Sequence, residues 1–325
     1  MIDVKVINTI AIGEDRINHA VFRREKGYLK LLNYSYFDFD FNDIDRFKLI
    51  AKDLKSFSDR DLFTNITFVA RETIKEIFPI KGNPKDVKMD VIEHIKDAYM
   101  VELADFYFDY TISSVEDLMV CYAVLFPKKI GEVIFRDLTK EGFKLITAET
   151  DCDSYKRGIL KLRDENHFLL LHIRRLDSVF MIFKDGVMML ERQVINGFSD
   201  LVDGISLQMG ITPENAEEHL VNKGLDKMKN GDDEYAIVAS VVDRLSMQIQ
   251  RTLDLYFQTY RGGPPSNIII TGMGVKIPDL DKYISELFAL PAFKESFMKL
   301  MGTEIDLDFK RLDYLDAMIC LGLEE

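Results

Sequence analysis

Two stretches of the chain, one at the start and one past the middle, alternate apolar runs with short polar breaks in the same order. In the first, Thr9-Ile10-Ala11-Ile12 is apolar and Gly13-Glu14-Asp15-Arg16 breaks it. Ile17 to Arg23 resumes, Lys26-Gly27 turns, and Tyr28 to Phe39 is rich in β-formers. In the second, Phe168 to Ile173 is apolar, Arg174-Arg175-Leu176-Asp177 interrupts, and Ser178 to Phe183 follows. Asp185-Gly186 then marks a tight hairpin, because both turn positions need positive φ, and Val187 to Val194 closes the set. Each stretch predicts strand, loop, strand, turn, strand. The repetition points to an internal duplication.

Helices fill the space between and after these meanders. Asn42 to Lys55 places Ile44, Phe47, Leu49-Ile50 and Leu54 near helical spacing, and Asn65 to Ala70 reads as a short buried strand. Val87, Val91, Ile95 and Ala98-Tyr99 predict a helix. Phe106, Phe108, Tyr110 and Ile112 alternate as a half-buried strand, and Leu118 to Phe126 is another. Lys128 to Glu141 reads as a helix stopped by Gly142. After the second meander come helices over Ser199 to Met209 and from Thr212-Pro213 towards Gly224, the latter with a capping threonine and a proline pre-set for the first turn. Asp226 to Asp233 is a polar break. Tyr235, Val238, Val241-Val242, Leu245, Ile249, Leu253 and Tyr256 keep one apolar stripe up to Gly262-Gly263-Pro264-Pro265. A buried strand, Asn267 to Thr271, enters Gly272-Met273-Gly274, and helices are expected over Pro278 to Leu287 and Leu312 to Leu323.

Composition narrows the function. The length of 325 residues suits about two domains, and 47% hydrophobic with 30% charged residues suits full cores under a solvated surface. A net charge of −13 disfavours phosphate backbones and anionic headgroups as partners. No apolar run reaches the length of about 18 residues that a spanning helix needs. Met1 to Lys5 lacks the apolar core of a signal peptide, so a cytoplasmic location is expected. Cys121, Cys152 and Cys320 are scattered, as reduced and buried thiols would be, and no histidine has metal-ligand spacing.

Four ordered stretches resemble the PilM family of pilus-assembly proteins, an actin-like group that includes FtsA and the cytoplasmic part of GspL. His172 to Ser178 through Lys184-Asp185-Gly186 is similar to the family's second phosphate motif. Gln193 to Gly197, with Met209-Gly210-Ile211 and Glu214 to Glu217, resembles the helix pair that follows it. Gln248 to Tyr256, then Ile268 to Gly274 and Ile277 to Leu280, resembles the long helix, strand and adenosine loop. Asp109-Tyr110, Val120 to Ala123 and Gly142-Phe143-Lys144 match the small inserted subdomain. The resemblance implies an α/β, actin-like (ribonuclease H-like) fold of two lobes with mixed sheets. Residues 1–163 would form the first lobe, with a small α/β insert at about 75–144. Residues 164–325 would form the second, with a helical part at about 199–261.

The resemblance breaks where nucleotide chemistry would occur. Actin-like sites hold Mg²⁺ through an aspartate in each phosphate hairpin and let glycine amides approach the phosphates. Here Ala11 and His172 stand at the two aspartate positions and Arg174 at a glycine position. Gly13, Ser178, Gly272 and Gly274 remain as a vestigial nucleotide site. The expectation is a pseudo-ATPase with no catalytic residue, no metal and no resident cofactor, in which weak ATP binding through Gly272 and Gly274 could survive.

The family also implies a partner, the cytoplasmic tail of a PilN-like single-spanning membrane protein, lying in a groove between the first lobe and its insert. Phe106, Phe108 and Tyr110 are candidates to line it, although Met100-Val101-Glu102 departs from the family's Ile-Pro-Phe. The leading expectation is a non-hydrolysing cytoplasmic scaffold of a type IV pilus or type II secretion assembly, held at the inner membrane through its partners. The alternatives are an active actin-like ATPase or small-molecule kinase, with Asp15 or Asp177 replacing the missing carboxylates, and a stand-alone relative of the GspL cytoplasmic part. Docking to a membrane as FtsA does is disfavoured, because Leu321-Gly322-Leu323-Glu324-Glu325 is not a basic amphipathic tail.

Overall fold

A computed structural model describes residues 6–13, 15–58, 63–69, 72–80, 87–260, 263–302 and 314–323. The chain divides into two compact units, one of Met1–Asp164 with Phe297–Glu325, the other of Glu165–Ser296.

In the first unit, β1 (Val6–Ile12), β2 (Arg16–Glu25) and β3 (Tyr28–Asp38) form the expected meander. Helix α1 (Phe47–Phe57) buries Phe47, Ile50, Ala51 and Leu54, a single helical face. It starts later than the apolar spacing suggested. Asp40 caps a 3-10 turn over Phe41–Arg46 through the Asn42 amide, and Asp43 inside that turn is not helical. Strands β4 (Phe63–Phe68) and β8 (Lys144–Thr150) complete a sheet of order β3-β2-β1-β4-β8, in which β4 runs parallel to both of its neighbours. Ala70, the expected end of the fourth strand, lies outside the described residues. Between β4 and β8 the chain makes β5 (Ile74–Ile80), α2 (Val87–Tyr99), β6 (Phe106–Val115), β7 (Leu118–Pro127) and α3 (Lys128–Lys140). The small sheet has the order β5-β7-β6, and α2 lays Val87, Val91 and Ile95 on it. The expected insert of 75–144 is therefore too long. Ile134 and Leu138 of α3 and Phe143 after it pack with Ile10, Ile12 and Phe47, in the core of the large sheet. After β8, α4 (Asp151–Leu162) begins at a Thr150/Asp153 capping box, a start the sequence reading did not mark.

The second unit repeats the first sheet. Strands β9 (His167–Ile173), β10 (Ser178–Lys184) and β11 (Val187–Val194) form a meander, and Asp185 and Gly186 both adopt positive φ between the last two. Helices α5 (Phe198–Met209), α6 (Pro213–Asn222) and α7 (Asp232–Thr259) follow, α6 capped by the Thr212 hydroxyl. Strand β12 (Asn267–Gly272) pairs parallel with β9 and with β13 (Ala292–Lys294), giving the order β11-β10-β9-β12-β13. Both meanders carry a register shift between their second and third strands, at Val21/Phe22 and at Ile182/Phe183. Helix α8 (Leu280–Phe288) begins two residues after Pro278, because Asp279 turns left-handed and the Pro278 carbonyl is taken by the Leu225 amide.

The last helix, α9 (Leu315–Gly322), corrects the expected second lobe of 164–325. Its buried face, from Leu315 to Leu321, belongs to the first unit. Three side chains of that unit take its carbonyls: Arg24 donates to Gly322, Asn65 to Leu321 and Arg157 to Cys320. Leu312, the expected helix start, lies outside the described residues. All three cysteines are buried thiols. Burial pushes the Cys121 thiol up to about 12 and holds that of Cys320 well above its ordinary value.

Candidate functional site

The first hairpin is closed over by protein. The Gly13 amide donates to the Arg16 carbonyl at 2.9 Å, so it is spent within the turn. A Cβ on Gly13 would lie 2.5–2.6 Å from the Tyr314 ring and hydroxyl, and Tyr314 is 9% exposed. Glycine is required here because an aromatic ring packs onto the backbone. Asp15 accepts two bonds from Arg16, at 3.1 and 3.2 Å, and one from the Tyr314 hydroxyl at 3.4 Å.

The second hairpin is closed by an ion pair. Arg174 is 3% exposed, and its Nε and Nη2 donate to the two carboxylate oxygens of Asp177 at 2.5 and 2.7 Å. The Arg174 amide donates to the Asp177 carbonyl, and Gln193 adds a further bond to Asp177 Oδ2. His172 is buried and shares a 2.9 Å bond with the Thr271 hydroxyl. Ser178 donates to the Asn196 carbonyl. Within this unit Ser178 and Gly272 pair with opposite sides of Ile173 at the end of β9. Gly272 has φ of +68°, and a Cβ there would sit 2.3 Å from the Ile173 carbonyl oxygen. A Cβ on Gly274 would meet Ile270 and Ile173 at 2.7–2.8 Å. These two glycines let β12 turn tightly against β9.

A Mg²⁺-bound nucleotide, the group this fold implies, does not fit these residues. Ala11 and His172 offer no carboxylate, both hairpin amides described above are engaged, and Asp15 and Asp177 are each tied to an arginine. Among the described residues no group of three His, Cys, Asp or Glu side chains could hold a metal ion.

The first unit instead offers a groove of about 510 Å³ between the small sheet and the edge of the large one. Its wall is aromatic. Phe68 stacks on Phe126 at 4.0 Å between ring centroids, Phe135 meets Phe68 edge-on at 6.2 Å, and Tyr107 meets Phe135 at 5.7 Å. Phe108 and Tyr110 border the groove from the opposite face of β6, where they pack against the core under α2. The other side is polar, built from Ala148, Glu149, Thr150 and Asp153 at the junction of β8 and α4. There Tyr122 and Thr150 share a 2.7 Å bond, and the Thr150 hydroxyl donates to Asp153 Oδ2 at 2.6 Å. Burial raises the Asp153 carboxyl above its ordinary value, the Thr150 bond opposes the rise, and nearby Glu149 adds to it. Glu149 is neutralised by Arg157 at 2.6 Å. Strands β6 and β8, on either side, are the outermost strands of their sheets among the described residues.

Of the expected lining, Phe108 and Tyr110 border the groove and Phe106 does not, and all three pack against the core under α2. Phe68, Tyr107, Tyr122, Thr150 and Asp153 went unnoticed in the sequence. The one available signal was the Thr150-to-Asp153 capping spacing.

No family model matches the chain, and no curated protein matches it in sequence. Solved structures do match in fold. A chain of the PilM–PilN type IV pilus biogenesis complex aligns with a TM-score of 0.69 and 11% identity, over 98% of this chain and 97% of that one. The ethanolamine utilization protein EutJ from Carboxydothermus hydrogenoformans aligns at 0.53 and 12%, covering 98% and 90%. MreB 5 of Spiroplasma citri bound to AMPPNP aligns at 0.53 and 12%, covering 98% and 95%. The protein has the actin-like fold, two α/β units with mixed sheets, and its structure is similar to that of a pilus-assembly component. Among the described residues no helix is long and apolar enough to cross a membrane.

Proposed function

We propose that this protein is a non-hydrolysing scaffold of a type IV pilus or related secretion assembly, which receives the cytoplasmic tail of a PilN-like, single-spanning membrane partner. The observation that carries the reading is the aromatic groove between two edge strands, β6 and β8. An extended segment can extend a sheet by main-chain pairing while alternate side chains enter the groove. The match in fold to a chain of the PilM–PilN complex supports the same partner class. Through that tail the protein would sit in the cytoplasm against the inner membrane. The test is calorimetric titration of the full chain with the cytoplasmic tail of the single-spanning protein encoded beside it. Saturable binding that Ala148→Trp abolishes is expected, since Ala148 is exposed and lines the groove. A folded chain that ignores the tail refutes the adaptor role.

The second reading, an actin-like ATPase or small-molecule kinase, draws on the similarity to MreB 5 bound to AMPPNP. It requires Asp15 or Asp177 to hold a metal, and both carboxylates are committed to arginines. Titration with Mg·ATP and a phosphate-release assay separate the readings, and turnover abolished by Asp177→Ala establishes the enzyme.

A further inference from the structure

The groove described above is short of positive charge. Its lining includes Asp109, Glu149 and Asp153 but no Lys, Arg or His. Glu149 is neutralised by Arg157; Asp109 and Asp153 form no ion pair among the described residues, and Lys156 acts on the Asp153 charge only as the smallest of its influences. The bonds to Asp153 all fall on Oδ2, from the Thr150 hydroxyl and amide and from Tyr122 at 3.4 Å. Its Oδ1 has no hydrogen-bond partner among the described residues. A second polar group in the groove is also unsatisfied: Thr73 is 6% exposed, and its hydroxyl is buried with no hydrogen-bond partner among the described residues. A buried hydroxyl and a desolvated carboxylate facing one cavity call for a ligand that brings polar main-chain groups and a cation.

We propose that the segment docked in the groove is basic, with a Lys or Arg side chain set against Asp153 and Asp109 and the adjacent apolar side chains on the Phe68–Phe126 wall. This rests on the reading of the groove as a docking site. Cytoplasmic residues beside a spanning helix carry an excess of Lys and Arg, so a membrane partner's tail has the charge that the groove lacks. The chain's net charge of −13 strengthens the attraction at a distance. The raised Asp153 carboxyl adds a signature. A docked cation favours its ionised form, so binding releases protons in the pH range where the free carboxyl is still partly protonated.

The experiment pans a displayed library of random peptides, about twelve residues long, against the full chain and keeps those whose capture is lost on Ala148→Trp. Lys or Arg flanked by apolar residues is the expected enrichment. In a synthetic copy of the dominant peptide, Lys→Gln is expected to weaken binding about tenfold, a charge-assisted contact in a partly desolvated site. That preference should vanish on Asp153→Asn. Because Asp153 also caps α4, Asp109→Asn, which touches no cap, is measured beside it and should reduce the preference. Groove-dependent peptides with no cation preference overturn the inference and leave the docking site standing. A library that yields no groove-dependent peptide removes both.

Discussion

Lowering the pH from 7.5 to 5.0 is expected to cost the first unit about 2 kcal/mol through one side chain, His19. His19 lies in the middle of β2, fully buried, with only neutral partners: Asn8, Ser35 and Ser58, each at 3.3 Å. Burial without a carboxylate holds its pKa down from 6.5 to about 3. A lowered pKa in a base means that the unfolded chain takes up a proton that the folded chain refuses. The contribution is thus complete above pH 6.5 and is lost as the pH falls from 6.5 towards 3. Each pH unit in that window costs about 1.4 kcal/mol, so reaching pH 5.0 costs about 2 kcal/mol. The measurement is urea unfolding at pH 7.5, 6.5 and 5.0, with hydrogen exchange over β1 and β2 as the local probe, since two units need not unfold together. His19→Gln keeps hydrogen-bonding capacity without the titration, and its profile is subtracted. Asp153, whose raised pKa works in the opposite sense, is common to both chains and cancels. Parallel profiles for the parent and His19→Gln would refute the assignment of a buried neutral imidazole.

Other expectations follow from contacts already described. Arg174→Ala leaves the Asp177 carboxylate buried and should destabilise the second unit by about 3–5 kcal/mol in denaturant titration. Gly13→Ala forces a methyl into the Tyr314 ring and should cost about 1–3 kcal/mol; combining it with Tyr314→Ala should reveal a coupling of at least about 0.5 kcal/mol in a double-mutant cycle. Gly272→Ala adds a positive-φ penalty to an overlap with the Ile173 carbonyl and should lower the melting temperature of the second unit without altering peptide binding at the groove.

The parts of the fold legible in the sequence are those written by local spacing. The two meanders announce themselves by apolar runs closed by Lys26-Gly27 and Asp185-Gly186, and α7 by its stripe from Val238 to Tyr256. Local signals that compete were misread: Asp40 caps a 3-10 turn, which delays α1, and Asp279 delays α8. Strand β8 and helix α4 escaped because polar residues fill the junction and the first turn, although Thr150 and Asp153 already had capping spacing. The groove was out of reach for a different reason. Phe68, Tyr107, Tyr122 and Asp153 come from four separate elements, and no periodicity along the chain links them. Ala11, His172 and Arg174 could be picked out in the two hairpins from the sequence, but the contacts that close each hairpin could not. Tyr314 reaches Gly13 from the far end of the sequence, and the Arg174–Asp177 pair depends on the turn geometry that creates it.

The return of α9 to the first unit bears on how the molecule is made. Glu165–Ser296 is one uninterrupted stretch, so every strand and helix of the second unit is synthesised before α9. The first unit emerges earlier yet stays unfinished, with Arg24, Asn65 and Arg157 lacking the carbonyls they later engage and the Tyr314 side of Gly13 bare. The half of the protein that bears the groove therefore depends on the later-made segment, and a chain truncated before α9 would retain every strand and helix of the second unit while leaving the first one open.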